Sequence, residues 1–255
     1  MRLYCLPHAG GSARRLARTL GSRIAGVTTV PLELAGRGTR WREPAYARWD
    51  DAIDDLTRRL VADLDGGPYG LLGHSLGALL AYEVALRMGD AAPELLVVSG
   101  RNPPHLPPRA ELRSAATLSD EELFGVLVTL GGVSPRAAGE LTYRTFLSTL
   151  RDDLRLAGTY RPLGGRAPLR SPVLVIYGKD DQLTSAALLH EWCGYTSARC
   201  TVYPCRGGHF FLLSEPDEVA RVILVTLTSP IDLPGLNMSY LNGESTGDRE
   251  RITHA

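Results

Sequence analysis

The chain of 255 residues is 44% hydrophobic, which is enough to bury one large core in a single domain. Lys plus Arg and Asp plus Glu number 28 each, so no net charge draws the protein to nucleic acid or to an anionic membrane. The sequence has no apolar run of about 18 residues and no signal-peptide pattern. We therefore expect a cytoplasmic monomer with no nucleic-acid or membrane partner.

Short apolar runs rich in Val, Leu, Ile and Tyr alternate with helical patterns along the chain. Most of these runs lack the polar and apolar alternation of a half-buried strand, which predicts strands buried on both faces. The runs lie at residues 3–6, 27–34, 69–72, 95–98, 173–177 and 200–203. Strands that alternate with helices predict an α/β fold with a mostly parallel central sheet, helices on both faces and the functional residues just beyond the strand C-termini.

Residues 102–165 interrupt this alternation. They open with the proline-rich run NPPHLPP and continue with helical segments that have no strand between them, which predicts a helical lid inserted above the sheet. Ser119 and Glu122 form a capping box for its first helix, which Gly131 ends, and a second helix is expected from about Pro135 toward Tyr160. The apolar stripes of these helices fit either ordinary core packing or the inner face of a lid over a pocket.

The domain is expected to span residues 1–229. The segment after it, residues 230–255, is polar, and we expect this tail to be disordered.

The four cysteines are expected to be reduced, because the chain carries no export signal. Cys200, Cys205 and His209 are conceivable zinc ligands, but their spacing matches no standard ligand pattern. We therefore predict neither a metal nor a cofactor.

The segment Gly73-His74-Ser75-Leu76-Gly77 matches the pattern G-x-S-x-G. It follows a predicted strand and precedes a helical stretch, which is the setting of the nucleophile elbow of the α/β-hydrolase fold. The glycines leave room for a sharp turn, and the helix N-terminus favours negative charge near the serine. A glycine-flanked serine in a simple tight turn is the alternative, and the strand and helix around it favour a nucleophile.

A serine hydroxyl needs a base to take its proton, and in this fold the histidine comes last in the chain order Ser, Asp or Glu, His. His209, His190 and His254 follow Ser75 beyond the insertion. His254 lies in the polar tail and His190 within a helical pattern, whereas His209 follows a strand and two glycines. His209 is therefore the predicted base, and a surface-loop histidine is the alternative.

The carboxylate that orients the histidine is expected after the strand at residues 173–177. Asp180 and Asp181 both stand there, and an Asx turn would explain either without catalysis. We predict Asp181 as the third member of the triad and Asp180 as a turn former.

Two backbone N–H groups must stabilise the oxyanion of a tetrahedral intermediate. Leu76, the residue after the nucleophile, is the first predicted donor. The second is Ala9 or its neighbour, in the glycine-rich turn after the first strand. Such a turn also fits a phosphate cradle, but the lysine of a P-loop is missing.

Five segments carry a family resemblance. They are PHAGGSA at 7–13, GRGTR at 36–40, GHSLGA at 73–78, SGR at 99–101 with the prolines after it, and GGHFFL at 207–212. GRG or SGR is weak alone, but the five segments in this order are specific. The chain, from residue 3 to about residue 227, resembles the type II thioesterases of polyketide synthase and nonribosomal peptide synthetase pathways.

The resemblance implies an α/β-hydrolase with a helical lid that hydrolyses acyl thioesters from the phosphopantetheine arm of acyl or peptidyl carrier proteins. It places the triad at Ser75, Asp181 and His209. Asp153 falls in a polar lid stretch typical of the family, and a solvated helix charge explains it equally well. A carboxylesterase or acyltransferase with the same triad, and a binding module without catalysis, are the alternatives.

Overall fold

The computed structural model describes residues 1–106, 115–132, 141–162 and 164–228, without the side chains of 141–145. Its strands are β1 (Arg2–Leu6), β2 (Thr28–Pro31), β3 (Tyr69–His74), β4 (Leu95–Ser99), β5 (Val173–Gly178) and β6 (Cys200–Cys205). They form one parallel sheet in the order β2-β1-β3-β4-β5-β6. The predicted strands are confirmed, although β2 is shorter than the apolar run 27–34.

The order of the sheet determines where its functional edge lies. The chain leaves β1 for the edge strand β2 and then returns to the other side of β1 with β3. The loops after β1 and β3 therefore diverge from neighbouring strands, and ligands of open α/β sheets bind at this kind of switch point.

Helices cover both faces of the sheet. They are α1 (Ala13–Leu20), α2 (Trp49–Asp63), α3 (Leu76–Met88), α4 (Asp120–Thr129), α5 (Leu141–Thr159), α6 (Phe211–Ser214) and α7 (Pro216–Thr228). The predicted capping box of α4 is confirmed, with the Ser119 N–H donating to Glu122 Oε2 at 2.8 Å. Among the described residues, no helix combines the length and the apolar content needed to cross a membrane.

Two predictions fall outside the described residues. These are the tail at 230–255 and the beginning of the second lid helix near Pro135.

The core has two layers because successive strand residues point to opposite faces of the sheet. Leu71 packs in the layer beneath α2 and α3, whereas Leu72 packs in the layer beneath α1 and α7. Both side chains are completely buried. This two-sided burial is the reason that the strands read as continuous apolar runs.

The expectation that all four cysteines are reduced is wrong. Cys193, in the 3-10 helix Leu189–Tyr195, forms a disulfide with Cys200 at the start of β6. Their Cα atoms lie 5.2 Å apart, within the range that a disulfide spans. Cys5 and Cys205 are free and buried, and burial raises the pKa of each thiol to about 12. Within the described residues, no cluster of His, Cys, Asp or Glu side chains is arranged to hold a metal ion.

The close contact of α3 with β1 yields a test of the fold. A Cβ on Gly77 would lie 2.3 Å from the Leu6 carbonyl oxygen, so Gly77→Ala forces α3 away from the sheet. We expect it to lower the free energy of unfolding, measured in urea, by about 3 kcal/mol. The control Gly125→Ala, in a helix with open space around it, should stabilise the protein by up to about 1 kcal/mol. Equal effects would contradict the close packing.

Candidate active site

Ser75 lies in a sharp turn between β3 and α3. Its backbone φ is 56°, and among the described residues it is the only non-glycine with positive φ. Such a conformation is strained for a residue with a side chain. A Cβ on Gly73 would lie 2.0 Å from the Gly77 carbonyl oxygen, so the turn has room only for glycine there. The Ser75 N–H donates to the Ser99 carbonyl at 2.8 Å, which fastens the turn to β4.

His209 and Asp181 form a buried pair. The His209 Nδ1 lies 2.9 Å from Asp181 Oδ2, and their side chains are 5% and 0% exposed. The other oxygen of the carboxylate, Oδ1, accepts the N–H of Leu183 at 2.8 Å. The carboxylate therefore has partners at both oxygens, and the imidazole is held with Nε2 directed away from it.

The loops that carry these two residues contact each other closely. A Cβ on Gly178 would lie 2.3 Å from the carbonyl oxygen of Gly207, so the ends of β5 and β6 approach at van der Waals distance only because residue 178 is glycine. The Asp180 N–H donates to the same Gly207 carbonyl at 3.0 Å. The Asp180 side chain is exposed to solvent, so the backbone of this residue shapes the turn and the carboxylate of its neighbour Asp181 meets the histidine.

A cavity of about 510 Å³ lies beyond the C-terminal ends of the strands. Ser75 and His209 both line it, and apolar side chains of α4 and α5 close it from above. Leu127 and Leu150 also pack against each other within a small cluster between these helices. The inner face of the lid helices thus forms the wall of the cavity.

Both predicted oxyanion donors also line the cavity. Ala9 follows β1, and Leu76 is the first residue of α3. Within the described part of the chain, neither N–H has a hydrogen-bond acceptor. The next N–H along the loop, that of Gly10, is already engaged by Asp153 at 2.6 Å.

A buried ion pair joins this loop to the lid. Asp153, on α5, is 2% exposed and accepts two hydrogen bonds from the guanidinium of Arg37, one of them at 2.6 Å. Arg37 also donates to the Gly11 carbonyl at 3.3 Å. We call Arg37, Asp153 and the Gly10 N–H the lid clamp. The interpretation of Asp153 as a solvated helix charge is wrong, and sequence reasoning assigned no role to Arg37, although the segment GRGTR singled it out.

Two further histidines surround His209. The His74 ring lies 5.1 Å from the His209 ring, and its Nδ1 is 2.9 Å from Ser99 Oγ. Burial, reinforced by the nearby His209, lowers the pKa of His8 to about 3 and that of His74 well below its usual value. Both rings are therefore neutral at pH 7, and His209 is the member of this cluster that has a carboxylate partner.

Comparisons of sequence and structure identify similar proteins. Residues 1–226 match the family model described as a thioesterase domain. The probable cadicidin biosynthesis thioesterase of Streptomyces griseus is 34% identical over 231 residues, which cover 89% of this chain and 62% of that protein. This chain therefore spans less than two thirds of the length of that relative.

Two solved structures are similar over nearly their whole length. ClbQ from the colibactin NRPS/PKS pathway has a TM-score of 0.79 and 30% identity, covering 89% of this chain and 96% of that one. The type II thioesterase BorB from the borrelidin biosynthetic cluster has a TM-score of 0.77 and 34% identity, covering 89% and 92%.

The lid clamp leads to a test of stability. Asp153→Asn leaves Arg37 buried without a counter-charge, so we expect it to lower the free energy of unfolding by about 3–5 kcal/mol. The neighbouring Asp152 is 37% exposed at its side chain and pairs with Arg155, so Asp152→Asn should cost less than about 0.5 kcal/mol. Urea unfolding measures both. A loss in Asp153→Asn no larger than that of the control would show that the clamp contributes no net stability.

Proposed function

This chain belongs to the thioesterase family, whose members are hydrolases that act on thioesters. On that premise, we propose that it releases acyl groups from the phosphopantetheine arm of carrier proteins. The partners are acyl or peptidyl carrier proteins of a polyketide or nonribosomal peptide pathway. The biosynthetic settings in which BorB and ClbQ are named support this assignment. The observation that carries the mechanism is the buried pair of His209 and Asp181 beside a cavity that Ser75 also lines.

Acylation begins with attack of the Ser75 hydroxyl oxygen on the thioester carbonyl carbon. His209 takes the hydroxyl proton, and Asp181 holds the imidazole in the tautomer that leaves Nε2 free to accept it. The N–H groups of Ala9 and Leu76 stabilise the oxyanion, because neither is committed to another acceptor. The carbon–sulfur bond then breaks, and the thiolate leaves with the proton from His209.

Deacylation repeats these roles with water as the nucleophile. His209 takes a proton from water as it attacks the acyl-Ser75 ester, and the free carboxylic acid and the serine hydroxyl are regenerated. The apolar side chains of α4 and α5 contact the acyl chain during both steps, since they form the wall of the cavity.

The nucleophile is tested with Ser75→Ala. We expect thiol release from acyl-phosphopantetheinyl carrier proteins to fall by about 10⁴-fold or more, because the acyl-enzyme cannot form. Release of free thiol is followed over time with matched oxygen esters as a second substrate set, and thermal unfolding confirms that the variant is folded. Wild type that cleaves only oxygen esters would favour a carboxylesterase, and wild type as inert as the variant on both sets would favour a binding module.

The acid of the triad is tested with two neighbouring carboxylates. Asp181→Asn should lower kcat by about 10³- to 10⁴-fold, because the amide favours the wrong tautomer of His209. Asp180→Asn is the matched control and should keep kcat close to wild type, because that side chain is exposed. Single-turnover release of thiol measures both rates. A larger loss in Asp180→Asn would transfer the role to that residue.

A further inference from the structure

Arg101 follows β4 in the segment SGR, which the proposed mechanism does not use. Its backbone carbonyl accepts the indole N–H of Trp192, in the 3-10 helix Leu189–Tyr195, at 2.9 Å. The next residue, Asn102, accepts the Ser185 N–H at 2.9 Å and donates to the Leu183 carbonyl at 3.3 Å. These bonds connect Arg101 to the same loop that positions Asp181, so its side chain starts from a fixed point beside the active site.

The Arg101 side chain lines the cavity that contains Ser75 and His209. Its Nε is fully buried. Among the described residues, Nε has no hydrogen-bond partner and no carboxylate forms an ion pair with the guanidinium. Burial lowers the pKa of this side chain to about 10, so it stays protonated at neutral pH. The residue as a whole is half-buried. A charge partly removed from water without a partner is unfavourable, and arginine does not relieve this by losing its proton at neutral pH.

Among the described residues, the surroundings of Arg101 offer it no anion. None of the described residues that line the cavity is acidic. Glu83, behind the cavity wall, already accepts from the Tyr160 hydroxyl at 3.0 Å and from the guanidinium of Arg166. Arg161 also lines the cavity, but it is exposed, and it donates to the carbonyls of Gly158 and Tyr160. Arg101 is thus the half-buried cavity arginine that donates to no described residue.

We propose that Arg101 forms a carboxylate-binding subsite, so that the substrates of this enzyme include acyl thioesters whose acyl chain bears a second, ionised carboxylate. The proposal rests on the proposed function and names the substrate class of the same site. A guanidinium binds a carboxylate through two parallel hydrogen bonds, which satisfies donors that no described residue engages.

The position of Arg101 favours the acyl chain over the phosphate of the phosphopantetheine arm as the source of the anion. A Cβ on the preceding residue, Gly100, would lie 3.5 Å from His209 Cε1, so Arg101 begins one residue away from the reacting groups. The phosphate is separated from the thioester sulfur by the entire pantetheine chain. A carboxylate a few bonds from the thioester carbonyl is the anion that reaches this guanidinium.

The test uses N-acetylcysteamine thioesters of glutaric and adipic acid, which carry no phosphate, and the same thioesters with the free carboxylate replaced by a carboxamide. We expect wild type to show a higher kcat/KM for the carboxylates than for the carboxamides. Arg101→Met should lower the ratio of kcat/KM for the carboxylate to kcat/KM for the carboxamide at least about tenfold. The variant has no charged group with which to bind the carboxylate in preference to the neutral carboxamide. Arg101→Lys should retain part of the preference, since it keeps the charge without the two-pronged geometry.

Arg161→Met is the matched control, and it should keep the wild-type ratio. A wild type without preference for the carboxylates would overturn the proposal whatever the folding of the variants, and so would an unchanged ratio in Arg101→Met. An Arg101 effect that appears only when phosphopantetheine replaces N-acetylcysteamine as the thiol would assign the guanidinium to the phosphopantetheine arm and overturn the acyl assignment. Failure of the proposed function is a different result, in which wild type hydrolyses none of these thioesters.

Discussion

The active site depends on the lid clamp, in which Arg37 and Asp153 form a buried ion pair. Two charges removed from water are costly, and their attraction offsets that cost only when the geometry is complete. Asp153 also accepts the Gly10 N–H, so the lid helix, the GRG segment and the loop after β1 reach their final positions together. The placement of the Ala9 N–H therefore follows from a contact made by a lid helix that packs against this loop.

The elbow at Ser75 shows the same dependence on close contact. Its strained φ persists because Gly73 and Gly77 allow the turn and the helix behind it to pack against β1 with almost no clearance. The end of β5 approaches the loop after β6 in a similar way at Gly178. Glycine at these positions is thus a condition for bringing the serine, the acid and the base of the proposed triad to one edge of the sheet.

Much of this architecture could be predicted from the sequence, because its signals are local. Apolar runs gave the strands, the capping box of Ser119 and Glu122 gave the start of α4, and ordered motifs gave the family, which the comparisons confirm. Contacts between distant segments could not be predicted. Arg37 and Asp153 are 116 residues apart, and no spacing rule relates them. The disulfide of Cys193 with Cys200 also joins separate elements, and no local signal indicates which thiols lie within bonding distance.

The division between sheet and lid determines whether the lid helices can be exchanged between related enzymes. The groups proposed for chemistry lie on loops of the sheet, whereas α4 and α5 supply much of the apolar wall of the cavity. Replacing the lid with that of a related enzyme would therefore change the wall and leave the proposed triad in place. Asp153 connects the two parts, because it lies on a lid helix but binds the Gly10 N–H of the loop after β1 and the guanidinium of Arg37. A chimera inherits a working loop only when the donor lid brings a carboxylate at this position to the recipient's arginine.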